Sequence, residues 1–118
     1  MNEFYDSELI SSCRQQGDAI FIALTGEIDL HNSPDLRGIL LEKIEQCAPK
    51  RLVLNLEKVP YMDSSGLAVL VESMQKLRKI GSRIYLTHLQ ARVLSIIEIA
   101  RLNTVFNLAK DDNDASIV

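Results

Sequence analysis

The sequence predicts a single α/β domain built on a mixed β-sheet, in which an N-terminal antiparallel hairpin is followed by alternating helices and strands. Residues 7–13 and 19–25 are β-like runs, and the segment 14–18 between them has the composition of a turn. After the hairpin, apolar runs of strand length alternate with longer segments that have apolar residues at helical spacing. The chain has 118 residues, of which 47% are hydrophobic, and this suffices for one domain with one core.

The strands expected at the centre of the sheet are almost wholly apolar. Residues 19–24 read Ala-Ile-Phe-Ile-Ala-Leu, and residues 51–56 read Arg-Leu-Val-Leu-Asn-Leu. Continuous apolar runs of this length are typical of strands that are covered on both faces. Shorter strands are expected at 83–87 and 103–108.

Three helices are expected to pack on the sheet. The first begins at Ser33, which suits an N-cap, and Pro34 suits the first helical position. The second covers residues 64–80 and ends at Gly81, and the third covers residues 90–100. The apolar residues at helical spacing are Leu36, Ile39, Leu40, Ile44 and Cys47 in the first helix and Leu67, Leu70, Val71, Met74 and Leu77 in the second.

Composition and charge limit the possible functions. The net charge is −3 and the basic residues are scattered, unlike the clustered Lys and Arg that neutralise nucleic acid phosphates. No apolar run approaches membrane-spanning length and no signal peptide is visible, so we expect a cytoplasmic protein with neither nucleic acid nor membrane as a partner. Cys13 and Cys47 lack metal-ligand spacing, and we expect no metal and no cofactor. The domain is expected to cover residues 1–110, with a frayed acidic tail at 111–118.

Residues 63–66, Asp-Ser-Ser-Gly, are the most informative segment for function. Ser64 falls at the N-cap or first turn of the second helix, where free backbone N–H groups and the helix dipole favour negative charge. We therefore expect the fold to tolerate a phosphate on Ser64. Gly66 is expected to keep the turn open to a close neighbour, whereas Asp63 would add to the negative charge around a phosphate. Taken alone, the four residues are more simply explained as a helix cap.

The wider pattern resembles the STAS family and, within it, the bacterial anti-anti-sigma factors, which are also called anti-sigma factor antagonists. The resemblance covers about residues 5–108, with its parts in the right order. The matching stretches are 24–29 (Leu-Thr-Gly-Glu-Ile-Asp), 33–36 (Ser-Pro-Asp-Leu), 52–57 (Leu-Val-Leu-Asn-Leu-Glu), 61–67 (Tyr-Met-Asp-Ser-Ser-Gly-Leu), 77–81 and 102–106.

The resemblance implies a switch that is controlled by phosphorylation. In this family the unphosphorylated protein captures a serine kinase that is also an anti-sigma factor, and this frees the sigma factor. The kinase then phosphorylates the serine that directly follows the aspartate, which is Ser64 here, and the complex separates. A PPM-type serine phosphatase restores the unphosphorylated form. Ser65 is the alternative acceptor, and Asp63 and Gly66 shape the acceptor loop.

Residues that follow the strand 19–25 should emerge at the same end of the sheet as Ser64. From the resemblance we expect a partner-binding surface there. An alternative is that Gly26 serves a bulge and Asp29 a turn, and for Glu27 the sequence fits a structural role as well as a binding role. The residues assigned to partner binding are Thr25, Gly26, Glu27 and Asp29, together with Met62 and Leu67 beside the acceptor motif.

The sequence indicates a binding protein rather than an enzyme. Residues 64–66 lack the preceding glycine of a hydrolase nucleophile elbow, and His31 and His88 fit ordinary surface positions. A response-regulator receiver would need an aspartate where the second central strand has Asn55. One alternative function stays open, that of a STAS subunit in a stress-signalling scaffold or other assembly without direct control of a sigma factor.

Overall fold

The computed structural model describes residues 7–111, which form five strands and three helices. The strands form one sheet in the order β1-β2-β3-β4-β5, with β1 antiparallel to β2 and every other neighbouring pair parallel. The predicted mixed sheet with an N-terminal hairpin is confirmed. In chain order the elements are β1 (Ile10–Gln16), β2 (Ala19–Thr25), α1 (Ser33–Cys47), β3 (Arg51–Lys58), α2 (Ser64–Lys79), β4 (Arg83–Thr87), α3 (Ala91–Ile99) and β5 (Asn107–Ala109).

All three helices cover the same face of the sheet. From β2 to β5 each new parallel strand is added on the same side of the one before it, and right-handed crossovers then place every connecting helix on one face. On this face Ile22, Leu54 and Leu86 lie side by side on adjacent strands. The helix residues buried with them are Leu36, Leu40 and Ile44 of α1, Leu67, Leu70, Met74 and Leu77 of α2, and Val93 and Ile97 of α3.

The opposite face of the sheet carries a second, smaller buried cluster. Phe21, Val53 and Tyr85 are aligned on adjacent strands, and each is at most 5% exposed. Arg14 of β1, the cross-strand partner of Phe21, has its guanidinium carbon 4.0 Å from the centre of the Phe21 ring. Since both faces of β2 are buried, its side chains are apolar at successive positions, as predicted.

The hairpin differs from its prediction by three residues. The first strand was expected at 7–13, but it covers Ile10–Gln16, so the connection is Gly17–Asp18 rather than 14–18. Gly17 has a φ of 62°, which suits a two-residue hairpin turn, and Gln16 pairs with Ala19. The polar residues that indicated a turn belong to an edge strand, where polar side chains are tolerated.

The N-cap of α1 and the bounds of the last strand also differ from the prediction. The N-cap of α1 is Asn32, and Ser33 is the buried first residue of the helix. The last strand, β5, covers Asn107–Ala109 instead of 103–108, because the chain turns before it and the N–H of Phe106 donates to the carbonyl of Leu102 at 3.0 Å.

No helix in the described part of the chain is long and apolar enough to cross a membrane. The tail predicted at 111–118 lies outside the described residues except for Asp111.

Candidate functional site

Two loops meet at one end of the sheet. They are the β2–α1 loop (residues 26–32) and the β3–α2 loop (residues 59–63), which follow adjacent parallel strands. A parallel bridge pairs Ile28 with Met62, and the N–H of Asp63 donates to the carbonyl of Ile28 at 3.0 Å. The two segments that the sequence predicted to lie side by side are therefore joined by backbone hydrogen bonds.

Asp63 caps α2 and links the two loops. Its Oδ1 accepts hydrogen bonds from the N–H groups of Ser65, at 2.9 Å, and Gly66, at 3.3 Å, in the first turn of the helix. The same oxygen accepts from the Ser65 hydroxyl at 2.5 Å. Its Oδ2 accepts from the N–H of Leu30 in the β2–α1 loop at 3.1 Å. One carboxylate thus holds the helix start against the neighbouring loop.

These donors lower the pKa of the Asp63 carboxyl below its ordinary value. The hydrogen bond from the Ser65 hydroxyl is the main cause. Partial loss of hydration raises the pKa, whereas the hydrogen bonds from the N–H groups of Gly66, Ser65 and Leu30 lower it further. The carboxyl is therefore ionised at neutral pH, and a negative charge is fixed next to Ser64.

The cap also occupies the backbone donors that we expected to favour a phosphate. The N–H groups of Ser65 and Gly66 are bonded to the Asp63 carboxylate, and that of Leu67 donates to the Asp63 carbonyl at 3.1 Å. A phosphate on Ser64 would meet a carboxylate instead of free donors at the start of the helix. The free donors expected at Ser65, Gly66 and Leu67 are therefore occupied in this conformation.

Ser64 and Ser65 differ in the accessibility of their hydroxyl groups. Ser64 is exposed as the first residue of α2, whereas Ser65 is half-buried and its hydroxyl is bonded to Asp63. A kinase can approach the Ser64 oxygen without disturbing the cap, but it would have to break a hydrogen bond of the cap to reach Ser65. Of the two hydroxyl groups, that of Ser64 is therefore the more accessible.

Gly66 is required by packing within the chain. A Cβ at this position would lie 2.6 Å from Cγ of Met62 and 2.7 Å from Cγ2 of Ile28. Met62 and Ile28 are both fully buried. The close neighbours of Gly66 thus belong to the protein itself, and the glycine lets the start of α2 pack on the two joined loops.

Met62 and Leu67 are core residues. Met62 is 0% exposed and Leu67 is 7% exposed, and both belong to the cluster beneath the helices. Assigning them to a partner-binding surface was wrong, because a partner cannot reach their side chains in this conformation. Their packing instead positions the start of α2.

Asp29 closes a turn that leads into α1. Its Oδ1 accepts from the N–H groups of His31 at 2.9 Å and Asn32 at 3.1 Å, and the Oδ1 of Asn32 accepts from the N–H of Asp29 at 2.9 Å. The structure therefore gives Asp29 the turn role that the sequence left open.

Within residues 7–111, no three His, Cys, Asp or Glu side chains are grouped so that they could hold a metal ion.

Gly26 and Thr25 mainly join the β2–α1 loop to its neighbours. Gly26 has a φ of 88°, and its N–H donates to the carbonyl of Lys58 at 2.9 Å, just beyond a register shift between β2 and β3. Thr25 is half-buried, and its N–H donates to the carbonyl of Leu9 at 2.8 Å. Glu27 is exposed and therefore presents a charge that a partner can contact.

Leu30 was missed by the sequence analysis. Its side chain is 75% exposed, although its N–H is bonded to Asp63. An apolar side chain on a backbone that is already ordered can be buried in a complex at little cost in entropy. The only signal in the sequence is an isolated leucine among the polar residues Asp29, His31 and Asn32.

Comparisons with known proteins agree with this fold. Residues 11–115 match the STAS domain family. An anti-sigma-B factor antagonist from Bacillus subtilis (strain 168) is 32% identical over 96 residues, which are 81% of this chain and 86% of that protein. The crystal structure of an anti-sigma factor antagonist from Mycobacterium paratuberculosis has a TM-score of 0.81 at 23% identity, covering 90% of this chain and 89% of that one. The structure of the Bacillus cell fate determinant SpoIIAA in its phosphorylated form has a TM-score of 0.68 at 22% identity, covering 86% of this chain and 93% of that one. The chain belongs to the STAS domain family and, within it, to the anti-sigma factor antagonists.

Proposed function

We propose that this protein captures an anti-sigma factor serine kinase when it is unphosphorylated and releases the kinase when Ser64 carries a phosphate. One observation carries the proposal: Ser64 is exposed beside the ionised cap Asp63, where two loops of the sheet meet. The protein acts as a regulatory binding module in the cytoplasm and not as an enzyme. A PPM-type serine phosphatase returns it to the unphosphorylated state.

The relatives support this class of function. The Bacillus subtilis relative is named as an antagonist of an anti-sigma factor. SpoIIAA, which has the same fold, is known in an unphosphorylated and a phosphorylated form. A phosphate on a protein of this architecture is thus compatible with the folded state.

Electrostatics explain how one phosphate would release a partner. Phosphorylation of Ser64 adds a charge of about −1.5 to −2. On the free protein this charge lies in water, which solvates it well. In a complex it would be desolvated next to the Asp63 carboxylate, without access to the donors that Asp63 already uses. Because about 1.4 kcal/mol is a tenfold change in affinity, a penalty of a few kcal/mol separates the complex.

The surface around Ser64 offers a partner several kinds of contact. Leu30 supplies an exposed apolar side chain, and Glu27 supplies an exposed charge. Ala68, which is one turn further along α2, is exposed and small, so it leaves room for close approach to the Ser64 hydroxyl. Ser64 would therefore be covered when a partner binds the joined loops.

The proposal is tested by affinity capture from host lysate with Ser64→Ala and Ser64→Asp baits side by side, and with Ser65→Ala as a control. We expect the Ser64→Ala and Ser65→Ala proteins to retain an ATP-binding serine kinase that the Ser64→Asp protein loses. If the Ser64→Ala and Ser64→Asp baits retain the same large assembly, the alternative role as a scaffold subunit is correct. If no bait retains a kinase, control of a sigma factor through this site is ruled out.

A further inference from the structure

A groove with a volume of about 950 Å³ lies between α1 and the segment that leads into β1. Its apolar lining includes Leu9 and Ile39, and at one end it reaches His31 and Asn32 of the β2–α1 loop. That loop is bonded to Asp63 through Leu30, so the groove continues from the surface that surrounds Ser64. The proposed function does not use this groove.

One exposed face of α1 forms a wall of the groove. Asp35, Gly38 and Glu42 follow one another at spacings of three and four residues, so they lie along the same side of the helix. Gly38 does not have a positive φ, and a Cβ at this position would have no atom within 4 Å. The fold of residues 7–111 therefore does not require a glycine here, although glycine is a poor helix former. Its effect is to leave the helix backbone open to a molecule in the groove.

The rim of the groove is acidic. Glu8, Asp35 and Glu42 line it, and none of them forms an ion pair within residues 7–111. The nearest turn of α1 also carries Arg37, but its guanidinium is held by Glu72 of α2 through two hydrogen bonds of 2.7 Å. The His31 imidazole is the one basic side chain among the described residues that line the groove. The groove therefore concentrates negative charge around an apolar floor.

We propose that this groove binds a Lys- or Arg-bearing segment of the same protein partner that docks on the Ser64 surface; the inference rests on the proposed function. Long basic side chains fit the site because their aliphatic stems can pack on Leu9 and Ile39 while their charged ends reach the carboxylates. Nucleic acid and anionic membranes would be repelled by the same rim. Because the groove adjoins the Ser64 surface, one partner can contact both. A partner bound at one of the two surfaces has a high effective concentration at the other, so the two contacts together bind more tightly than either alone.

The test measures the affinity of the captured kinase for wild-type protein and for variants, by titration calorimetry without ATP. Glu42→Lys reverses a charge on the rim, and Gly38→Leu fills the groove with a residue that favours helix. Glu98→Lys, an exposed position of α3 outside the groove, is the matched control. Thermal unfolding of each variant is recorded as well, since Gly38→Leu should raise the melting temperature while it weakens binding. Damage to the fold cannot produce that combination.

We expect Glu42→Lys and Gly38→Leu to weaken binding at least tenfold, and Glu98→Lys to change it less than twofold. The effect of Glu42→Lys should shrink as salt is raised, because salt screens exposed charges. If both groove variants bind like wild type while Ser64→Asp loses the kinase, the groove proposal is wrong and the proposed function stands. If wild type retains no kinase, both fail. If light scattering shows that wild type is a dimer and Glu42→Lys a monomer, the groove binds a second copy of this chain and the proposal is overturned.

Discussion

Among single residues, Ser64 and Ser65 show how a cap can make two neighbouring hydroxyl groups unequal in accessibility. The two serines are adjacent and chemically identical, and the family resemblance placed the acceptor at Ser64. The structure adds a physical reason, because the Ser65 hydroxyl is bonded to Asp63 at 2.5 Å and Ser64 is exposed. Residue type alone cannot separate the two, since the difference depends on which hydroxyl the cap engages.

Phosphate transfer should therefore depend on Ser64 and not on Ser65. We expect Ser64→Ala to abolish incorporation of phosphate by the captured kinase and Ser65→Ala to preserve it. Intact-mass and fragmentation mass spectrometry after incubation with ATP measure both the amount and the position of the phosphate. Modification of Ser65 in the Ser64→Ala protein at the wild-type level would contradict the assignment.

Asp63 should make the stability of the protein depend on pH in the acid range. Its carboxyl has a lower pKa in the folded state than in the unfolded state, so the folded state favours the ionised form. This contribution is fully present above the unfolded-state pKa of about 3.9 and is lost as pH falls through the folded-state pKa. Asp63→Asn removes the titrating group.

Urea unfolding of wild type and Asp63→Asn at pH 7, 5 and 3 tests this linkage. We expect wild type to have a higher free energy of unfolding than Asp63→Asn at neutral pH. This difference should shrink between pH 5 and pH 3. Ser65→Ala should reduce the shrinkage, because it removes the main cause of the lowered pKa. An advantage that is equal at pH 7 and pH 3 would show that the cap does not act through its charge.

Exposure is the property of single residues that the sequence predicted least well. Met62 and Leu30 are both large apolar residues in loops, yet Met62 is 0% exposed and Leu30 is 75% exposed. Their positions follow from two contacts between the loops. The backbone bridge pairs Met62 with Ile28, and the N–H of Leu30 donates to the Asp63 carboxylate. Those contacts join residues that are distant in sequence, so local pattern does not reveal them.

At the scale of elements, two helical glycines should respond in opposite ways to the same substitution. Gly66→Ala should destabilise the protein by about 1–3 kcal/mol, because the new Cβ would overlap Met62 and Ile28 at the start of α2. Gly38→Ala should stabilise it by up to about 1 kcal/mol, since the position is exposed and has open space around it. Equilibrium unfolding in urea measures both, and equal effects of the two changes would contradict this packing.

Helix α2 also contains a buried serine hydroxyl that forms no hydrogen bond within residues 7–111. Ser73 is 0% exposed, and its hydroxyl oxygen has no hydrogen-bond partner within residues 7–111. Ser73→Ala should raise the free energy of unfolding by about 1 kcal/mol, because it removes a buried, unpaired polar group. Differential scanning calorimetry measures the shift. A lower melting temperature for the alanine variant would indicate that the hydroxyl is in fact hydrogen-bonded.

The sequence predicted the elements well where burial alone decides them and less well at their ends. Apolar runs located β2 and β3, and helical spacing located α1 and α2. The polar residues of β1 indicated a turn, because an edge strand does not need the apolar pattern of a central strand. The start of α1 at Ser33 was predicted, but its N-cap was placed at Ser33 instead of Asn32, because the turn before the helix is built by hydrogen bonds between Asp29 and Asn32.

At the scale of the whole molecule, the order of the elements was enough to predict where Ser64 lies. Parallel strands place the ends of β2 and β3 at the same edge of the sheet, so the loops that follow them must meet. Because α2 begins at that edge, Ser64 is presented at the surface while the core behind it is closed by Met62 and Leu67. The acidic groove beside α1 could not be predicted, since its walls come from Glu8, which precedes β1, and from Glu42 on α1.

The most direct test of the switch compares the affinity of the captured kinase for the unphosphorylated protein and for protein that carries one phosphate on Ser64. The phosphorylated sample is made with the kinase and ATP, repurified, and checked by mass spectrometry, and both titrations are run without ATP. We predict that phosphorylation weakens binding at least a hundredfold, which corresponds to about 2.8 kcal/mol. Equal affinities of the two forms would contradict the account, because the charge beside Asp63 would then not control the complex.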